Sequence, residues 1–258
     1  MIALKNICCG YGKKEVLKDI SFSIPKAKFT CLLGKNGVGK TTLFKTILGL
    51  LPAMRGEILY DGMNSTAFSA KEFAQFISYV PQAHGTPFPF TVLDVVLMGQ
   101  YAHSKSIFEN PRSSNVEIAV NCIQTLGIEK LMHKNFSKIS GGEKQMVLIA
   151  RAMAQQPKFI AMDEPTSNLD MGNQVRVMQL TRLLTQNGYG VIMNTHSPQQ
   201  AMQYADKVVL LNNGTVSHKG NPEDVLHAHT VTDLYNTPME IVEAFTSFGD
   251  KRRVLITV

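Results

Sequence analysis

No run of apolar residues approaches the roughly 18 that a membrane-spanning helix needs, so the 258-residue chain contains no candidate span. The opening, Met1-Ile2-Ala3-Leu4-Lys5-Asn6, has no basic region followed by an apolar stretch and a cleavage site, and the chain is expected to stay in the cytoplasm. Cysteine is scarce. Cys8, Cys9, Cys31 and Cys122 form no C-x-x-C pair, which argues against a zinc site or a disulfide framework and for reduced, mostly structural thiols. Repeats, low-complexity tracts and long flexible linkers are missing too. Acidic residues are outnumbered, 20 against 26, and the net charge of +6 fits attraction to nucleic acid or an anionic surface. The basic residues are scattered, however, with one cluster at Lys251-Arg252-Arg253, so charge alone chooses no partner. What is present is an ordinary globular composition, 44% hydrophobic, enough for one large or two intimately joined domains.

The chain opens on short strands. Ile2-Ala3-Leu4 and the alternating Ile20-Ser21-Phe22-Ser23-Ile24, closed by Pro25, predict an antiparallel β layer. A helix ending near Gly49 and strands at Glu57–Tyr60 and Phe76–Val80 follow, with a turn from Leu51 to Gly56. From Phe90 to about Ala154 strand signals vanish and helical spacing takes over, as in Val92, Val95, Val96 and Ile118, Cys122, Ile123, Leu126. Apolar runs at Phe159–Met162, Val191–Met193 and Val208–Leu211 then restore the rhythm of a parallel sheet. The expected class is α/β: a phosphate-loop core with an antiparallel β layer over 1–85 and 155–258, and an inserted helical subdomain over 86–154, within one domain.

Three constellations carry chemistry. Gly34-Lys35-Asn36-Gly37-Val38-Gly39-Lys40-Thr41 fills every fixed place of G-x-x-x-x-G-K-[ST], after the apolar run Phe29–Leu33 and before a helical pattern. Glycines let the backbone curl until its N–H groups and the next helix's N-terminus aim at one spot, a cradle for phosphate. Gly34, Asn36, Gly37, Gly39, Lys40, Thr41 and Thr42 are therefore the candidate nucleoside triphosphate contacts, with Lys40 reaching the terminal phosphates and Thr41 offering its hydroxyl to Mg²⁺. Next, Phe159–Met162 ends in Asp163-Glu164 at what a parallel sheet makes its ligand edge. Asp163 is placed to hold Mg²⁺ and Glu164 to polarise the water that attacks the γ-phosphate; alone, the same pair reads as a turn and helix cap. Last, Ser140-Gly141-Gly142-Glu143 precedes a helix with apolar Met146, Ile149, Ala150 and Met153. Local pattern supports a capping box equally well. Two glycines exceed what capping needs and suggest a backbone that approaches something closely, a second anion-binding helix start.

The order of phosphate loop, Gln82, Ser140-Gly141-Gly142, Asp163-Glu164, Ser167-Asn168-Leu169-Asp170 and Thr195-His196 resembles the ATP-binding cassette proteins over nearly the whole chain. The resemblance implies ATP as nucleotide and a head-to-tail homodimer, with each ATP held between one subunit's phosphate loop and its partner's Ser140-Gly141-Gly142. By the same resemblance Tyr11 stacks on adenine, Gln82 senses the γ-phosphate, Mg²⁺ and attacking water, Asp170 couples the two sites, and His196 contacts the γ-phosphate. Three residues depart from the usual pattern: Ile139 stands where the family has Leu and Asn168 where Ala is common, both minor changes, and Glu143 stands where the family has Gln. Its carboxylate near phosphates is mildly unfavourable unless it points away or pairs with Lys144 or Arg151.

With no span of its own, a transporting cassette needs integral membrane permease subunits, which by family resemblance dock at the helical subdomain, and indirectly a substrate-binding protein. The stretch Thr86–Gly99 looks like those of bacterial importers for iron siderophores, haem, cobalamin and, in some relatives, molybdate. That places the chain on the inner face of the cell membrane, peripherally, with no nucleic acid partner. The alternative is a soluble cassette ATPase acting on nucleic acid or ribosomes. Against it stand the lack of sustained heptads, of cysteine pairs for zinc modules, and of a second cassette. A GTP-dependent switch lacks its Asn-Lys-x-Asp segment.

Overall fold

The computed structural model describes residues 1–82, 89–103, 112–245, 247 and 249–258. They fall into two compact units, Met1–Ser65 with Ile192–Val258, and Thr66–Val191. The first unit begins with β1 (Ile2–Tyr11) and β2 (Lys14–Ile24), both longer than the short runs expected, joined by a two-residue turn at Gly12-Lys13. The register of β1 slips between Leu4 and Ile7, where Asn6 takes φ 49° and its amide locks onto Ser21. That bulge puts Ile7 and Cys9 back on the buried side with Ile2 and Leu4. β3 (Phe29–Leu33) is buried throughout, as befits a central parallel strand, and leads through the glycine loop into α1 (Lys40–Ile47). β4 (Arg55–Tyr60) and β5 (Met63–Asn64) complete an antiparallel sheet in the order β2-β1-β4-β5. The Tyr60 hydroxyl, buried, donates to the Ile47 carbonyl at 2.7 Å and so fastens the end of α1 to that sheet.

The second unit starts with α2 (Ala70–Phe76) and β6 (Ile77–Val80), so Phe76, expected in the strand, instead ends the helix. Helices α3 (Val92–Leu97), α4 (Ser113–Thr125) and α5 (Gly141–Ala154) follow. α5 is apolar on nearly every face and correspondingly buried. β7 (Phe159–Asp163) pairs in parallel with β6, with Phe76 stacked on Phe159 at 5.4 Å, and α6 (Met171–Gln186) closes the unit. Division by compactness thus groups β6 and β7 with the helices, whereas a cut at 86 and 154 follows the change from sheet to helix.

β8 (Gly190–Thr195) returns the chain to the first unit, where α7 (Pro198–Tyr204), β9 (Lys207–Asn212) and β10 (Thr215–Gly220) give the strand order β10-β9-β3-β8. β9 runs parallel to β3 and β10 antiparallel to β9. The chain ends with α8 (Pro222–Val225), α9 (Ala228–Tyr235) and the antiparallel hairpin of β11 (Met239–Phe245) and β12 (Lys251–Thr257). All four cysteines are free thiols. Among the described residues, no helix is long and apolar enough to cross a membrane.

Candidate nucleotide site

The first unit carries the phosphate loop. Because β3 is fully buried, Gly34 emerges against β9, where an added Cβ would lie 2.8 Å from the Leu211 carbonyl oxygen. Gly37 and Gly39 hold φ 80° and 107°, backbone that L side chains rarely adopt, and Gly39 starts α1 with no side-chain cap. The start of α1 thus carries no side-chain cap and no acidic residue in its first turn, which is the arrangement that binds anions. Lys40 is 4% exposed, its ammonium donating to the carbonyls of Gly34 at 2.7 Å and Lys35 at 3.0 Å. The loop therefore fixes a buried cation beside its own rim. Asn36, Gly37 and Thr41 are exposed, and Thr42 is buried. Tyr11 ends β1 opposite Lys14 and is half exposed, able to offer a ring face. His196 is exposed in the joint between β8 and α7.

The remaining site residues belong to the second unit. Asp163 ends β7, and the Tyr79 hydroxyl donates to its Oδ2 at 3.4 Å. Burial, with the neighbouring Asp163 carboxylate, pushes the Tyr79 phenol up to about 12, so it stays a donor. Glu164 has φ 45°, and its Oε2 accepts from the Ser167 hydroxyl at 2.9 Å. For a side chain with a Cβ that left-handed backbone costs about 1 kcal/mol, and such strain gathers at functional sites. Gln82 lies half-buried two residues beyond β6. Of the expected docking stretch, residues 86 to 88 lie outside the described residues; Pro89 to Gly99 contain α3, capped by Thr91 and Asp94.

Ser140 does form a capping box. Its Oγ accepts from the Glu143 N–H at 3.3 Å, and Glu143 Oε2 accepts from the Ser140 N–H at 2.8 Å. These bonds hold the Glu143 carboxyl below its ordinary value, helped by Lys134 and Arg176, and the carboxylate turns back onto its own helix start rather than pairing with Lys144 or Arg151. The two glycines separate. A Cβ at Gly142 would stand 2.5 Å from Asn173 Cγ, so the close approach is to this chain's own α6, whereas a Cβ at Gly141 would meet nothing within 4 Å. Asn173 is held in turn by Asp170, which caps α6 by accepting from the Asn173 N–H at 2.9 Å and its Nδ2 at 2.6 Å. Tyr79 and Asn173 have no site role in the sequence because their contacts, with Asp163 and Gly142, join distant positions, whereas Ser167 stands in the Ser167–Asp170 run and here holds Glu164.

A family model described as ABC transporter matches residues 17–167, more than half of the chain. The chain belongs to the ABC transporter family. Its activity is that of the family's cassettes, ATP hydrolysis coupled to transport, and the α/β phosphate-loop fold expected from the sequence is the one observed. An uncharacterised ABC transporter ATP-binding protein of Haemophilus influenzae is 40% identical over 94% of this chain and 92% of its own length. The molybdate import ATP-binding protein MolC of the same organism is 34% identical over 92% and 89%. Among solved structures, a transporter described as of metal-chelate type, in an inward-facing conformation, superimposes with a TM-score of 0.89 at 31% identity, covering 100% of this chain and 97% of that one.

Proposed function

We propose that the chain is the ATP-hydrolysing subunit of a bacterial importer, working as a head-to-tail homodimer that drives uptake of a metal chelate or molybdate through separate membrane subunits. One observation carries this reading: the chain has two glycine-flanked helix starts, α1 uncapped and α5 with Gly141 open to its surroundings. Each can face phosphate, and in a head-to-tail pair one copy supplies each start to the same ATP. Met171, 81% exposed beside Asp170, adds an apolar surface suited to burial against the partner.

In this site Lys40 and the α1 N–H groups neutralise the β- and γ-phosphates. Glu164 orients and deprotonates the attacking water, with Gln82 beside it, and His196 contacts the γ-phosphate as the terminal P–O bond breaks to give ADP and phosphate. Tyr11 stacks on adenine, and Asp170 links the two composite sites. The hydroxyl and carboxylate oxygens of Thr41 and Asp163 suit Mg²⁺, a hard cation. Once bound, Mg²⁺ balances charge developing on the phosphate oxygens. Ser140, Gly141 and Gly142 would serve the partner's ATP. Dimer closure then moves the membrane subunits through the helical segment around α3, whose Phe90 and Tyr101 offer partly exposed aromatic rings. The subunit lies peripherally on the inner face of the cell membrane, and the solute is chosen by the membrane subunits and the binding protein.

The reading is tested in a strain lacking this chain, by uptake of labelled haem, ferric siderophore, cobalamin and molybdate. One uptake should be lost, restored by the intact chain and left unrestored by Glu164→Gln. Unimpaired uptake of all four would refute the solute class.

A further inference from the structure

The segment after residue 220 carries no nucleotide motif, yet it fastens onto the joint that holds His196. That joint is short: β8 ends at Thr195 and α7 begins at Pro198. The peptide linking His196 to Ser197 is held at both polar ends. Its N–H donates to Thr195 Oγ1 at 3.1 Å, and its carbonyl oxygen accepts from the Tyr235 hydroxyl at 2.5 Å. Tyr235 is the last residue of α9, 39 positions away. Burial raises its phenol pKa, so it remains a donor at any working pH.

α9 is itself tied down. Thr232 Oγ1 accepts from the Met239 N–H at 3.0 Å, linking α9 to β11. Within α7, Gln199 donates to the Arg253 carbonyl at 3.2 Å and accepts from the Leu255 N–H at 2.9 Å, as a neighbouring strand would pair with β12. A closed circuit therefore runs from α7 to β12, β11 and α9, and back to the His196 carbonyl. The plane of that peptide is set by the ψ angle of His196, so freeing its carbonyl lets the residue, and with it the imidazole, rotate against the β8 end.

We propose that Tyr235 is a positioning residue for ATP hydrolysis: by clamping the His196 carbonyl, the C-terminal segment fixes the imidazole in its hydrolytic geometry. This rests on the role given to His196 above. Displacing a reacting group by a fraction of an ångström slows chemistry more than binding. Tyr235→Phe, which removes one oxygen, should lower kcat roughly tenfold and leave the ATP KM within about twofold. Thr195→Val, which frees the other end of the same peptide, should act likewise and serves if Tyr235→Phe folds poorly. The deciding arm is His196→Ala with and without Tyr235→Phe, in single-turnover assays of the full chain. In the alanine background the tyrosine change should have no further effect. An unchanged kcat in both clamp variants, or an equal loss in the alanine background, overturns the inference. A normal rate for His196→Ala would sink the histidine's role and this inference together, whereas a crippled His196→Ala beside normal clamp variants would sink this inference alone.

Discussion

Adding one methyl group at Gly141 or at Gly142 separates what the α5 start does for its own chain from what it does for a partner. Both residues sit in the first turn of α5, where Gly to Ala gains up to about 0.5 kcal/mol in helix propensity, half the interior value. At Gly141 the new Cβ meets nothing within 4 Å, so the gain stands. At Gly142 it falls 2.5, 2.6 and 2.7 Å from three atoms of the Asn173 amide. Overpacking costs about 1–3 kcal/mol, nearer the low end for an amide that can swing outward. The two chemically identical changes should thus differ in stability by about 1.5 kcal/mol, some 3–6 °C in melting temperature for a chain of this size. Turnover should not follow stability. If the α5 start faces the partner's γ-phosphate, the methyl of Gly141→Ala intrudes on that contact, and ATPase activity falls at least about tenfold although the protein melts no lower than wild type. Melting by calorimetry and phosphate release on the same preparations suffice. A Gly141→Ala protein that hydrolyses ATP at the normal rate, or that is less stable than Gly142→Ala, would refute the reasoning.

Glu164→Gln keeps the shape and loses the base, so turnover should fall by about 10²–10⁴-fold while ATP affinity holds and a closed nucleotide-bound dimer accumulates in size-exclusion chromatography; hydrolysis at the normal rate contradicts the assignment. Acid should act through the capping carboxylates. Glu143 and Asp170 both have folded pKa values held below the ordinary 4.5 and 3.8, by bonds from Ser140 and from Asn173 respectively. Their contribution to stability is therefore complete above those ordinary values and disappears as pH falls through the lower folded ones. The melting temperature should be level above about pH 5 and drop below it, and Glu143→Gln should make that drop shallower; superimposable curves for the two proteins would contradict the cap's role.

The phosphate loop was legible because every group it needs lies within eight consecutive residues, and the strand before it is a plain apolar run. The strands β7, β8 and β9 were legible for the same reason, each a short buried run. Contacts between distant positions were not. Gly142 reads in the sequence as a close backbone approach, but that Asn173, 31 positions on, is one of the groups it approaches could not be read there. The Ser140–Glu143 capping box was legible as one of two local readings, and the structure forms it. Nothing local marks the left-handed backbone of Glu164, since an Asp-Glu pair ending a strand suits several turns. Residues after 220 follow no motif, and the pairing of Gln199 with β12 and of Tyr235 with His196 ties that segment to the joint that holds His196.

The central claim is that one ATP is completed by two copies of the chain, and mixing two inactive variants tests it most directly. Lys40→Ala spoils a phosphate loop, while Gly141→Asp sets a carboxylate at the open α5 start and leaves that chain's own loop intact. In a head-to-tail pair of the two, both faults fall on one site and the other site is whole. Random mixing should then restore ATPase activity to roughly a quarter of wild type, from half the dimers with one sound site each. Activity that stays at the level of the separate variants, with mixed dimers shown to form, would mean that each chain completes its own site.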